Sequence, residues 1–76
     1  MMPRFRVTVH NRAGDHVGEH VLVASDVEDA LVQWKELCLA LIKEKPKVGQ
    51  LMGLTSTDLA DIRAELETFT WAAREI

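Results

Sequence analysis

The feature that most constrains this chain is a strict alternation near its start. Phe5, Val7 and Val9 are apolar, and the residues around them are polar, namely Arg4, Arg6, Thr8 and His10. Successive side chains of a β-strand point to opposite faces, so a period of two with β-branched residues predicts a half-buried strand. The first element is therefore expected to be a strand with its apolar face turned towards a core.

A second strand-like run, Val17 to Ala24, follows the turn residues 11–15. Two such runs around a short polar segment predict a β-hairpin. Its loop is expected to centre on Gly14, which can adopt a positive φ without strain. If both apolar sets are buried on one face, odd residues pair with odd residues. This register places the first strand's Phe5, Val7 and Val9 beside Val23, Val21 and Glu19.

A helix is predicted at about residues 26–44. Ser25 and Glu28 have the spacing of a capping box, in which an N-cap hydroxyl and the side chain three residues later satisfy backbone amides. Pro46 is expected to end the helix. Apolar residues spaced three and four apart form its buried stripe, namely Val27, Ala30, Leu31, Trp34, Leu37, Cys38, Leu41 and Ile42.

A second helix is expected after a loop at residues 47–53. Thr55 as N-cap would place Asp58 near the positive helix end, with Leu54 and Leu59 in hydrophobic-staple positions. Spacings of three and four then continue to the last residue, through Leu59, Ile62, Leu66, Phe69, Ala73 and Ile76. This is the seam of a helix packed lengthwise on another helix.

The order strand, strand, helix, helix predicts an α+β fold, a small ββαα domain with an antiparallel hairpin packed against two helices. A chain of 76 residues is expected to form one domain, 1–76, with marginal stability. Its core is expected to contain Phe5, Val7, Val9, Val21, Val23, Leu31, Trp34, Leu41, Leu59, Ile62, Leu66 and Phe69.

A single cysteine and the lack of a recognisable targeting signal predict a cytoplasmic protein. Cys38 is the only cysteine, and the first residues lack the apolar segment of a signal peptide. The longest apolar run, Leu37 to Ile42, is far shorter than the ~20 residues of a membrane span. Small size without a tag-like tail suits an accessory protein encoded by a phage or a bacterium.

Each predicted helix has apolar residues away from its main stripe. Val32 and Leu39 lie one above the other on the first helix, and Ala60, Ala64 and Trp71 share a face of the second. We interpret them as a partner-binding surface, since Trp is enriched at binding hot spots. In the alternative, Trp71 folds back on the helix end or the sheet, and Val32 and Leu39 are scattered surface residues. The small core, the free edges of a hairpin and these faces together predict a homodimer.

The polar face of the hairpin supplies a second candidate site. Arg4 and Arg6, with Arg12 near the turn, could enter a nucleic-acid groove as a β-ribbon. The net charge of −3 and the lack of a stacking aromatic on this strip argue against such binding.

Catalytic and metal-binding chemistry are not expected. His10, His16 and His20 do not cluster in the predicted register, and Cys38 lies in an apolar stripe without a base within reach. Gly49 and Gly53 lack the partners of a phosphate-binding loop. We therefore expect no enzyme, no metal and no cofactor. The leading hypothesis is a non-catalytic protein-interaction protein with an accessory or regulatory role. The alternative is a small nucleic-acid-associated regulator that uses the basic hairpin face.

Overall fold

A computed structural model describes residues 2–76 and confirms the α+β class. Its strands are β1 (Arg4–His10), β2 (His16–Val23) and β3 (Thr70–Glu75). Its helices are α1 (Val27–Glu44), α2 (Pro46–Leu51) and α3 (Leu59–Leu66). The strands form one antiparallel sheet in the order β2-β1-β3.

The sheet buries one face. Phe5, Val7 and Val9 of the central strand are 3%, 0% and 0% exposed, whereas Arg4 and Arg6 are exposed. Helix α1 packs across the buried face and contacts all three strands, while α2 and α3 pack against α1. We call the face of Phe5, Val7 and Val9 the inner face and the opposite one the outer face. Within residues 2–76, no helix packs on the outer face.

The hairpin and its turn are as predicted. Gly14 has a φ of +88°, the left-handed conformation that glycine adopts without strain. The side chain of Asn11 stabilises the turn, because its Oδ1 accepts hydrogen bonds from the amides of Ala13 and Asp15, each at 3.0 Å.

The predicted register is wrong by one residue. Val7 pairs with His20 and Phe5 with Leu22, so odd residues of β1 face even residues of β2. Val21 and Val23 therefore lie on the outer face, where they are 43% and 48% exposed. The physical reason is the close approach of α1 to β2 at Gly18, where a Cβ would stand 3.2 Å from Cζ2 of Trp34 and 3.0 Å from Cγ1 of Val9. This inner-face position opposite Val9 therefore favours glycine over Glu19, the residue of the predicted register.

The C-terminal half of the second predicted helix is a strand. Helix α3 ends at Leu66, where the indole Nε1 of Trp71 donates to the Leu66 carbonyl at 2.8 Å. Residues 70–75 then pair with the second edge of β1. This pairing satisfies backbone groups that an isolated hairpin would leave free, and it makes β1 the central strand. Phe69 is still buried, but Ala73 and Ile76 belong to no helix seam.

The N-cap of α1 lies one residue later than predicted. Asp26, not Ser25, is the N-cap residue, and its Oδ1 accepts from the Asp29 amide at 2.8 Å. Asp29 rather than Glu28 reaches back, since its Oδ2 accepts from the Ser25 amide at 2.9 Å. Carboxylates in both positions also suit the positive end of the helix dipole.

The predicted loop after α1 contains the short helix α2. Pro46 does end α1, but it also occupies the first turn of α2, where its missing N–H costs nothing. A Cβ at Gly49 would lie 3.2 Å from Ile42 Cγ2 and 3.3 Å from Leu54 Cδ1. The bare glycine thus lets α2 pack closely on the end of α1. The third helix starts after Asp58 and not after Thr55.

The core differs from the predicted set on the side of β2 and the helix ends. Val21, Val23, Leu41 and Leu59 are exposed and Leu31 is partly exposed, while the other members of the predicted core are buried. Burial that the sequence did not predict is found at Ala24, Leu39, Met52 and Leu54. Leu39 is buried because α3 packs on its side of α1, which turns the buried stripe away from Leu41.

Candidate interaction surfaces

The residues predicted to bind a partner do not share one surface. Trp71 lies on the inner face of β3, partly buried, with its ring edge-to-face against Trp34 at 6.2 Å between centroids. Leu39 is 7% exposed and belongs to the core. For Trp71 the geometry is that of the alternative, in which the indole folds back on the sheet. Ala60 and Ala64 are exposed on α3, and Val32 is 61% exposed on α1.

Val32 and Leu39 meet in a groove between α1 and α3, which we call the α1–α3 groove. It has a volume of about 230 Å³ and is lined by Val32, Lys35, Glu36, Leu39, Arg63, Leu66 and Glu67. Two ion pairs bridge its walls, Arg63 Nη1 to Glu36 Oε1 at 3.3 Å and Lys35 Nζ to Glu67 Oε2 at 3.6 Å. Exposed ion pairs of this kind add little stability. Because two cations face two anions, the charges around the small apolar floor of the groove are balanced.

The outer face of the sheet combines apolar and basic side chains. Paired residues on neighbouring strands point to the same face. Arg6 lies between Val21 of β2 and Arg74 of β3, and Arg4 lies beside Val23. All five side chains are exposed. Among residues 2–76, none of the ion pairs involves Arg4, Arg6 or Arg74.

A shallow depression opens between the two opposed arginines of the outer face. Its volume is about 240 Å³, and it is lined by Arg6, Thr8, Ala72, Ala73 and Arg74. Thr8 pairs with Ala72, so a hydroxyl and a methyl group lie next to the two guanidinium groups on the same face. The depression therefore presents cationic forks above a small, partly apolar floor.

Arg12 is not part of this basic face, contrary to the sequence prediction. Its Nη2 lies 3.4 Å from Oε2 of Glu65, a carboxylate with a 7% exposed side chain. The same carboxylate accepts hydrogen bonds from the amides of Thr55 and Ser56, at 3.2 Å each. Burial opposes ionisation of Glu65, but the bonds from Ser56 and Thr55 and the charge of Arg12 outweigh it and hold its pKa below the ordinary value. Glu65 thus ties the hairpin turn and the loop before α3 to that helix.

Two of the histidines are closer together than the predicted register implied. His10 and His16 pair across β1 and β2 with ring centroids 5.2 Å apart, and His16 Nε2 lies 3.6 Å from Glu19 Oε1. His20 instead stacks on Trp34 at 6.0 Å. Over residues 2–76, no group of three or more His, Cys, Asp or Glu side chains has the arrangement of a metal site.

Cys38 is buried in α1, and burial raises its pKa to about 12. The thiolate is the reactive form of cysteine, so this side chain stays a protonated thiol at neutral pH. It acts as a small apolar core residue, which is how the sequence indicated it.

An apolar groove beside α2 was not expected from the sequence, because α2 itself was taken for a loop. Its volume is about 470 Å³, and its apolar lining includes Ile42, Leu54, Leu59 and Ile62. Lys43 is the one titratable residue among its lining residues. The groove has the size of a small-molecule site but does not bring together an acid and a base.

Sequence reasoning missed Arg74, Val21 and Val23 as members of one surface. Arg74 was assigned to a helix, and the two valines to the core. The available signal was the alternation of Thr70, Ala72 and Arg74 with Trp71 and Ala73, which fits a strand as well as the apolar spacing fits a helix. A period-two pattern this short decides little without knowledge of the strand beside it.

No helix in the described part of the chain, residues 2–76, is long and apolar enough to cross a membrane. Comparisons with protein-family models, with curated proteins and with solved structures gave no match to this chain.

Proposed function

We propose that this protein is a small, non-catalytic interaction module with an accessory or regulatory role, and that it binds another protein on the outer face of its sheet. The observation that carries this proposal is the exposure of Val21 and Val23 on a sheet face that no helix of residues 2–76 covers. Contiguous exposed apolar residues rimmed by polar ones are a mark of interaction sites.

The arrangement of the rest of the molecule supports this surface over the helix faces predicted from sequence. Trp71 and Leu39, the two largest members of the predicted partner set, contribute to the chain's own packing. The outer face holds its β-branched residues on hydrogen-bonded strands, so binding there costs little ordering of the backbone.

Affinity capture from a lysate of the source organism, treated with nuclease, tests the proposal. Val21→Ser together with Val23→Ser removes the apolar part of the outer face, and Leu51→Ser on α2 is the matched control, since Leu51 is also exposed and lies outside the α1–α3 groove. We expect the control and the wild type to retain the same protein partner and the double variant to lose it. Equal retention by all three proteins would place the binding surface elsewhere.

We also propose that the chain forms a homodimer through the α1–α3 groove. A two-fold interface brings the same patch together from both subunits, so it favours a surface of balanced charge. The groove carries Lys35 and Arg63 opposite Glu36 and Glu67, with Val32 exposed at its rim. The outer face is a poor alternative, because it would bring the arginines of both copies together.

A nucleic-acid-associated regulator is the second candidate function. Arg74 beside Arg6 supports it, since the structure adds a cation to the predicted strip although Arg12 is paired elsewhere. Phosphate contacts weaken steeply with salt, whereas apolar docking does not, so the salt dependence of binding separates the two candidates. Cytoplasmic location and a phage or bacterial origin are part of the same proposal.

A further inference from the structure

We infer that the depression between Arg6 and Arg74 is a carboxylate-binding site, which recognises acidic side chains of a protein segment that also contacts Val21 and Val23. This inference rests on the proposed function, because it assigns the chemistry of the partner that the outer face binds.

The opposition of Arg6 and Arg74 is the first argument. The two residues are direct register partners on adjacent antiparallel strands, and like charges in that position are destabilising. Neither guanidinium is in an ion pair with any of residues 2–76. A bound anion would relieve this repulsion, and a carboxylate accepts two parallel hydrogen bonds from a guanidinium fork.

The depression provides room for such a group. About 240 Å³ of space lies beside the two arginines, with the Thr8 side chain among the lining residues as a further hydrogen-bonding group. Ala72 is small, so the floor between the arginines stays open where a longer side chain would fill it. The site is therefore concave, cationic and accessible from solvent.

The neighbours of the site favour an acidic protein segment over a nucleic acid. Val21 pairs with Arg6 and Val23 with Arg4 across β1 and β2, and apolar neighbours on this side of Arg6 match a segment in which acidic and apolar residues alternate. Single-stranded nucleic acids are bound by aromatic stacking as well as by cations. Phe5, Phe69, Trp34 and Trp71 are all buried or face inwards, so none of them offers a stacking platform on the outer face.

The experiment is a titration of ¹⁵N-labelled protein at low salt, followed by the amide signals of β1 and β3 and the side-chain Nε–H signals of arginine. The probes are a short acetylated and amidated peptide of alternating leucine and glutamate, its counterpart with glutamine for glutamate, and an oligothymidylate. We expect the glutamate peptide to shift the Arg6 and Arg74 Nε–H signals and the Thr8 and Ala72 amides. Its dissociation constant should be well below those of the other two probes.

Variants of the arginines identify the contact. Arg6→Gln and Arg74→Gln should each lower the affinity for the glutamate peptide about tenfold, which is the effect of losing a hydrogen bond to a charged group. Lys47→Gln on α2 is the matched control, because it removes an exposed cation from a helix that contributes no residue to the depression or to the α1–α3 groove. It should leave the affinity unchanged.

Three results would overturn the inference. Equal binding of the glutamine peptide to the outer face would remove the carboxylate and leave the proposed protein-binding function in place. Tighter binding of the oligothymidylate at Arg6 and Arg74 would assign the site to nucleic acid and would also replace the proposed function. Shifts confined to other surfaces would show that the depression binds neither anion.

Discussion

Gly18 of β2 lies directly against the indole ring of Trp34 in α1. A Cβ built on Gly18 would stand 3.2 Å from Cζ2 of that ring and 3.0 Å from Cγ1 of Val9. His20, two residues further along the same face of β2, stacks on the same indole with an interplanar angle of 11°. The inner face of β2 is thus shaped around one tryptophan, and this contact fixes which residues of the strand point inwards.

Gly18→Ala should therefore destabilise the fold. Alanine would restrict the unfolded chain and stabilise by up to about 1 kcal/mol, but it would also overpack a site whose neighbours cannot retreat. Val9 is 0% and Trp34 4% exposed, so we expect overpacking to prevail, with a net loss of about 1–2 kcal/mol. Urea unfolding of the two proteins measures this difference.

A second substitution checks the cause. Trp34→Phe replaces the indole by a smaller ring and should remove the part of the additional cost of Gly18→Ala that the indole causes, while the closer contact with Cγ1 of Val9 remains. Strict additivity in this double-mutant cycle would mean that the alanine methyl group and the indole do not meet.

The register shows how far the sequence could predict this sheet. Alternation along β1 correctly predicted its buried residues, because one strand's pattern depends only on its own faces. The pairing of β1 with β2 also depends on a tertiary contact. The apolar pattern predicted that Val21 and Val23 face inwards, but the contact between Trp34 and Gly18 places the other set of β2 residues on the inner face. Hydrophobicity alone predicted the valines on the inner face, whereas close packing against Trp34 places Gly18 there.

The N-cap of α1 gives a second prediction. Asp26→Ala removes the oxygen that accepts from the Asp29 amide and should cost about 1 kcal/mol of folding stability. Ser25→Ala should cost much less, because the Ser25 hydroxyl meets only Asp29 Oδ2 at 3.3 Å and caps no amide. The free energy of unfolding of both variants decides between the two residues, and a larger loss for Ser25→Ala would restore the cap predicted from sequence.

Glu65→Gln should destabilise the protein at neutral pH by about 2 kcal/mol, because a charged acceptor of several partly buried hydrogen bonds is lost. The pKa of Glu65 is held below its ordinary value in the folded state, so its contribution is complete above the unfolded pKa and disappears as the pH falls through the folded pKa. The gap between wild type and variant should therefore close as the pH falls below about 4.

Denaturant midpoints of both proteins between neutral and acidic pH measure that gap. The pKa of Asp29 is also lowered, chiefly by the hydrogen bond from the Ser25 backbone, but this residue is present in both proteins and cancels in the comparison. A stability difference that stays constant with pH would mean that folding does not lower the pKa of Glu65.

The third strand and the buried position of Glu65 could not be predicted from the sequence. Residues 69–76 fit a helix seam in isolation, and only the free edge of β1 makes a strand the better solution for them. A buried glutamate looks like one more acid on a helix face until the loop that donates to it is placed. For these two reasons the predicted basic face included Arg12, which pairs with Glu65, and omitted Arg74, which lies opposite Arg6.

Self-association through the α1–α3 groove is tested better at Val32 than at Trp71. Trp71→Glu would disturb the chain's own packing against Trp34, so a change of mass in that variant would have no clear cause. Val32→Lys is the sharper test, because Val32 is 61% exposed and its replacement should leave monomer stability unchanged within about 0.5 kcal/mol. We expect wild-type protein in sedimentation equilibrium to approach twice 8.6 kDa with increasing concentration, and the lysine variant to remain at 8.6 kDa. A wild type that stays at the monomer mass across a hundredfold concentration range would exclude the dimer. Equal association of both proteins would move the interface from the α1–α3 groove to the free edges of β2 and β3.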